Sequence, residues 1–169
     1  MSLVLLLGGA RSGKSLLAQQ LAGDAATLIA TGRSVDAEMA ERIRRHRDER
    51  PAGWTTVEEA VELRKALAAV EPDATVVVDC LSLWTANLLE AGWKDEEVES
   101  EGEVVAAAAA GRAGTTIAVS NEVGLGIVPV TPLGRRYRDV HGRVNASWAK
   151  AADRALLVVA GRTLELQRA

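Results

Sequence analysis

Runs of consecutive apolar residues recur along the chain, at 3–7, 27–31, 75–78, 115–120 and 155–160. A short unbroken run bounded by glycine or polar residues predicts a strand buried on both faces. Stretches with helical spacing lie between them. Residues 16–21 follow a Gly-rich turn as a helix. Over 36–50, Met39, Ala40 and Ile43 form an apolar stripe. Acids (Asp36, Glu38, Glu41) lie early there and arginines (Arg42, Arg44, Arg45, Arg47) late, matching the helix dipole. Ser34 suits the N-cap and Pro51 stops the helix. Thr56 and Glu59 fit the S/T-x-x-E capping box, predicting a helix from 57 to about 70. Residues 81–91 read as a helix. The acidic stretch 94–103 reads as a solvated loop or helix start, and 104–110 as an Ala-rich helix ended by Gly111. Residues 132–139 read as a basic helix, with Gly142 leading into another at 143–153. At the C-terminal end, a Gly161-Arg162 turn joins the fifth run to an alternating stretch, 163–167, that suits an antiparallel edge strand.

Strands alternating with helices imply a mostly parallel α/β sheet covered on both faces, with right-handed crossovers and a C-terminal antiparallel hairpin. A length of 169 residues fits one domain, 1–169, able to bury a sizeable core. Phenylalanine is absent, so that core is aliphatic. The net charge of −3 argues against a general nucleic-acid binder. The single cysteine, Cys80, leaves no intramolecular disulfide and points to a reducing compartment. The N-terminal apolar run is too short for a signal peptide or membrane span. The expectation is a cytoplasmic protein without membrane insertion.

Candidate chemistry sharpens this picture. Gly8-Gly9-Ala10-Arg11-Ser12-Gly13-Lys14-Ser15 fits G-x-x-x-x-G-K-[ST] at every fixed position, between a buried strand and a helix. Glycines let backbone N–H groups wrap an anion, and the helix N-terminus adds donors and partial positive charge. Lys14 is placed to reach the β- and γ-phosphates, and the Ser15 hydroxyl to bind Mg²⁺. Asp79 ends an apolar run, the pattern that holds a Mg²⁺ water opposite a phosphate loop. The whole is a P-loop NTPase fold of the RecA-like kind. His46 extends the Met39–Ile43 stripe into the last helical turn, beside Arg45 and Arg47. By itself a histidine there is more often a helix-end charge or a packed side chain than a reactive group. The arginines alone read as a solvated face. Residues 121–129 form a loop with two glycines and a proline at a strand's C-terminal end, where function concentrates.

Four further stretches carry a family resemblance. They are Ile29-Ala30-Thr31; Asp36-x-Glu38-Met39 running through Arg42-Ile43 to His46-Arg47-Asp48-x-Arg50-Pro51-x-x-Trp54; Asp79-Cys80-Leu81-Ser82 with Asn87-Leu88; and Asn121-Glu122-Val123-Gly124-x-Gly126-Ile127-Val128-Pro129, followed by Arg138-Asp139, Gly142-Arg143 and Asn145. In this order they resemble the bifunctional adenosylcobinamide kinase/adenosylcobinamide-phosphate guanylyltransferase family, nearly end to end. The resemblance implies phosphorylation of adenosylcobinamide with ATP or GTP. It then implies transfer of GMP from GTP, through a guanylylated histidine, to adenosylcobinamide phosphate. His46 matches the family's histidine because it precedes R-D-x-R-P. Resemblance also implies a guanine-nucleotide clamp from Gly32, Arg33 and Ser34, from Arg47, Asp48, Glu49 and Arg50, and from acids matching Glu58 and Asp79; a one-residue shift would favour Glu59 over Glu58. Ser15 and Asp79 would hold the metal, and a homotrimer is implied. The chain departs from the pattern in having Asp79 where many members have Glu, and Ala146 where Gln often follows Asn145. Two alternatives remain at this point: a single-activity small-molecule kinase or NTPase, and a non-catalytic nucleotide-gated module.

Overall fold

A computed structural model describes residues 2–33 and 51–168. The expected helix at 36–50, with Ser34 at its start and His46, Arg47, Asp48, Glu49 and Arg50 in its last turns, lies outside the described residues. Within them the strands are β1 (Ser2–Gly8), β2 (Thr27–Ala30), β3 (Thr55–Glu58), β4 (Val76–Asp79), β5 (Thr115–Asn121), β6 (Arg154–Val159) and β7 (Arg162–Leu166). The described helices are α1 (Lys14–Ala22), α2 (Leu63–Ala69), α3 (Leu81–Glu90), α4 (Asp95–Ala110) and α5 (Pro132–Ala151).

The strands form one sheet in the order β3-β2-β4-β5-β1-β6-β7. Every pairing is parallel except β6 with β7. The apolar runs explain this directly. Along β1, Leu3, Leu5 and Leu7 enter one core cluster and Val4 and Leu6 the other, so neither face meets water. The first cluster is closed by α2 to α5, with Trp84 and Trp148 at its centre. The second is closed by α1 through Leu17 and Ala18. This is the doubly covered α/β sheet with a terminal hairpin that the alternation implies.

Three local expectations are corrected, and one that stood open is decided. The Thr56/Glu59 capping box does not start a helix. Thr55, Thr56 and Val57 are β-branched, and they pair in parallel with Thr27, Leu28 and Ile29 as β3. Glu59 still caps: its Oε1 accepts the N–H groups of Val61 and Glu62, both at 2.9 Å, in the turn leading to α2. Those two bonds hold its carboxyl below the usual carboxylate range. The acidic stretch is the start of helix α4, the second of its two readings, and Glu97 caps it by accepting the Lys94 N–H on Oε2 at 2.8 Å. Gly142 interrupts nothing. One helix, α5, runs through it, because Val140, Val144 and Trp148 keep the buried stripe continuous. The hairpin turn is Ala160-Gly161 rather than Gly161-Arg162; both residues have positive φ, 50° and 74°, as a two-residue primed turn requires.

Candidate functional site

The phosphate loop leaves β1 at Gly8 and ends on the first turn of α1. A Cβ at Gly8 would collide with the Val158 carbonyl oxygen, so only glycine lets the loop pass β6 this closely. Gly13, at φ 104°, sits against Gly161 Cα of the hairpin turn, and the Gly161 N–H donates to the Ser12 carbonyl at 2.8 Å. The C-terminal hairpin thus braces the loop from behind, a contact the sequence analysis did not anticipate. Gly9, Ala10 and Arg11 are exposed along the loop's outer rim, Arg11 with φ 56°, while Ser12 is buried.

Lys14 is 7% exposed. Its ammonium donates to the Gly8 carbonyl at 2.9 Å, the Gly9 carbonyl at 2.7 Å and Ser12 Oγ at 3.4 Å. The charge therefore lies inside the loop rather than in solvent. Ser15 Oγ donates to Asp79 Oδ2 at 3.4 Å, joining the loop's last residue to the end of β4. That hydroxyl and carboxylate, both hard oxygen ligands, are the donor type a divalent cation beside phosphates accepts. Among the described residues no cluster of three or more acidic, histidine or cysteine side chains has metal-site spacing. A cation here would share its shell with phosphate oxygens and water.

Asp79 is held by its neighbours' backbone. Thr31, fully buried, donates its N–H to the Asp79 carbonyl at 3.1 Å. Its hydroxyl donates to the Cys80 carbonyl at 2.7 Å and accepts the Cys80 N–H at 2.9 Å. Asn87 Nδ2 donates to Thr31 O at 2.8 Å and Ala60 O at 3.0 Å. The Cys80 thiol is buried and pushed upward by desolvation and then by Asp79, so it stays protonated. Ser15, Gln19, Trp54 and Asp79 help line a small cleft between α1 and the sheet edge.

The structure brings Gly8 to Ser15 and Asp79 together. It places Gly32 (half-buried), Arg33 (exposed) and Glu58 (exposed) on the same carboxyl-terminal edge, but farther along it. Glu58 pairs with Ala30, which pairs with Asp79, and β2, β4 and β5 separate it from the phosphate-loop strand. Sequence reasoning missed Thr31 as the brace of Asp79. It also missed a polar cluster behind β5, formed by Thr85, Ser120, His141 and Asn145. The available signal was a histidine and an asparagine on the buried stripe of α5.

A family model described as cobinamide kinase / cobinamide phosphate guanyltransferase matches residues 4–166. A bifunctional adenosylcobalamin biosynthesis protein, CobP, of Pseudomonas aeruginosa is 41% identical over 167 residues, 96% of this chain and 96% of its own. Its counterpart CobU of Salmonella typhimurium is 41% identical over 174 residues, 94% of this chain and 96% of its own. A solved structure from Pyrococcus horikoshii superposes with TM-score 0.56 at 10% identity, over 97% of this chain and 85% of that one, a likeness of fold alone. Among the described residues no helix is long and apolar enough to cross a membrane.

Proposed function

The chain belongs to the cobinamide kinase / cobinamide phosphate guanyltransferase family, and we propose how its residues divide that family's two reactions. It is a kinase and nucleotidyltransferase of cobalamin biosynthesis, with ATP and GTP as nucleotide substrates. In the first step a hydroxyl of adenosylcobinamide attacks the γ-phosphorus, the bond to the β-phosphate oxygen breaks, and nucleoside diphosphate leaves. In the second, a neutral imidazole nitrogen of His46 attacks the α-phosphorus of GTP. The bond to the β-phosphate breaks, pyrophosphate leaves, and GMP stays on the ring as a phosphoramidate. A phosphate oxygen of adenosylcobinamide phosphate then attacks that phosphorus. The P–N bond breaks, adenosylcobinamide-GDP is formed and the imidazole is regenerated.

The loop from Gly8 to Ser15 would cradle the triphosphate with its N–H groups, and Lys14 would neutralise developing negative charge on the leaving phosphates. Ser15 and Asp79 would hold Mg²⁺, which supplies further charge neutralisation when bound. Arg47, Asp48, Glu49 and Arg50, with Gly32, Arg33, Ser34 and Glu58, would clamp the nucleoside and steer the histidine. The site works as one catalytic domain over 1–169, in the cytoplasm, without nucleic-acid partners. The assembled form is a homotrimer, a reading supported by Leu125, Ile127, Val130 and Leu133, which are 82%, 97%, 92% and 67% exposed in the single chain.

The observation that carries the reading is Ser15 meeting Asp79 at one sheet edge, next to a buried Lys14 folded into the loop, in a chain that matches the family over 4–166. The test is incubation with GTP labelled at the α-phosphate. Acid-labile, base-stable label should remain on the protein and vanish in His46→Ala, which should still phosphorylate adenosylcobinamide. A protein that never takes up label, yet phosphorylates the corrinoid, would be a kinase only.

A further inference from the structure

His141 is completely buried beneath the start of the 122–131 loop, and its ring is surrounded by polar groups from three elements. Nε2 lies 3.0 Å from the Asn121 carbonyl oxygen and 3.2 Å from Ser120 Oγ. The Ser120 proton is committed to Asn145 Oδ1 at 2.6 Å. Two acceptors facing one ring nitrogen fix the proton on Nε2. Nδ1 faces Thr85 Oγ1 at 3.1 Å, whose single proton is shared between that nitrogen and the Leu81 carbonyl at 2.9 Å, so Nδ1 meets a weaker acceptor than Nε2 does. Tyr137 stacks on the ring, centroids 5.4 Å apart and planes within 4°, and its hydroxyl donates to the Ser82 carbonyl at 3.1 Å.

The Asn121 carbonyl sits at the very end of the β5 ladder. His141 Nε2 and Asn145 Nδ2, the latter at 3.1 Å, supply its two donors. The Asn121 N–H donates to Ser82 Oγ at 3.2 Å. The next residue, Glu122, donates its N–H to the Gly8 carbonyl at 3.1 Å, and that same carbonyl accepts Lys14 Nζ at 2.9 Å. From the ring to the phosphate-loop lysine, every link is one hydrogen bond or one peptide unit.

We propose that His141 is a positioning residue for the transfer reactions: by donating from Nε2 to the Asn121 carbonyl it fixes the end of β5, and with it the Glu122 amide that shares the Gly8 carbonyl with Lys14. It touches neither substrate nor reacting atoms. Its influence passes through the backbone, setting where Gly8 and the ammonium lie when the triphosphate arrives. The proposal rests on the phosphate loop being the nucleotide site. Burial keeps the ring neutral, in opposition to the Asn121 bond and the Glu122 carboxylate. The uncharged groups facing it are Tyr137 and Asn145 from α5, Thr85 from α3, and Ser120 and Asn121 from β5. A neutral Nε2–H donor suffices for the role, so glutamine should replace it.

The experiment compares His141→Leu, which keeps bulk but removes the donor, with His141→Gln, whose amide NH₂ replaces Nε2–H. Amide hydrogen exchange over 121–131 should accelerate about tenfold or more in the leucine variant and return to within about threefold of the parent in the glutamine variant, on the measured range of local opening. Exchange in the 154–166 hairpin should stay unchanged in both, showing that the fold persists. The rate of adenosylcobinamide phosphorylation, a step that does not pass through His46, should fall about tenfold with leucine and recover with glutamine, while KM for ATP moves less than kcat. Unchanged exchange in the leucine variant would overturn the proposal. So would glutamine failing to rescue either readout, or faster exchange with an unaltered rate. If the parent protein phosphorylates no corrinoid, the reading of its function falls instead, and the exchange comparison still decides whether His141 holds the strand end.

Discussion

A lysine ammonium that donates to the Gly8 and Gly9 carbonyls is already desolvated and already aimed. In the role proposed for it, its contribution at the transition state would come from that preorganisation. Lys14→Ala should therefore lower both phosphorylation and guanylylation by about 10² or more, read as single-turnover rates, since removing a comparable preorganised donor costs that much. Lys14→Arg should not rescue, because a planar fork cannot occupy the space of a point charge. At His141 the prediction concerns stability. The folded ring is held below its ordinary value of 6.5 by burial, so the unfolded chain takes up the proton first as pH falls. The sign follows. The stabilising contribution is full above about 6.5, declines as pH drops toward the folded value, and is gone below it. Denaturant midpoints measured between pH 7.5 and 5 should fall for the parent and fall less for His141→Gln. At this scale Lys14, Ser15 and Asp79 were legible as residues of one sheet edge, because the motif's spacing and the flanking runs place them there. Thr31 and His141 were not, since a buried threonine and a buried histidine acquire roles only from the carbonyls that tertiary packing brings to them.

Helix α5 is a 20-residue element with a glycine in the middle. Among the described residues nothing lies within 4 Å of a Cβ built at Gly142, and the backbone there is helical. Gly142→Ala should therefore stabilise the protein by about 1 kcal/mol, measured by equilibrium denaturation, with both activities unaltered. A glycine at 142 predicts a break between two helices, and the chain forms one. The buried stripe through Val140, Val144 and Trp148, together with Thr131 capping Gly134 N–H at 3.1 Å, outweighs one glycine. The opposite error occurred at β3. A local capping-box pattern competed with three β-branched residues, and the open edge of β2 decided for the strand. Arg112 supplies a further element-scale test. Its guanidinium donates to the carbonyls of Leu67 at 2.9 Å, Val70 at 3.3 Å, Glu71 at 2.8 Å and Ala74 at 3.1 Å, gathering the carboxyl-terminal end of α2. Arg112→Ala should destabilise by about 1–3 kcal/mol, the range for leaving such partners unmet, without changing KM for either nucleotide.

Across the whole molecule, a nucleotide that binds only the folded chain must stabilise it by mass action. GTP with Mg²⁺ at about 100 times its dissociation constant should add about 2.7 kcal/mol to unfolding, and Lys14→Ala should abolish most of that gain. Sedimentation equilibrium should report a trimer, and charged replacements at Ile127 and Val130 should shift it toward monomer. What the sequence determined alone was whatever depends on near neighbours in the chain. The unbroken apolar runs required strands covered on both faces, the Gly-rich motif required a tight loop between strand and helix, and the alternation required a mostly parallel sheet. Tertiary structure alone decided which distant groups meet. It placed the hairpin turn at Gly161 behind Gly13, Thr31 under Asp79, and His141 under the end of β5. The physical reason is that a backbone carbonyl has no preferred partner in the sequence; its donor is whichever side chain the packed core leaves within about 3 Å.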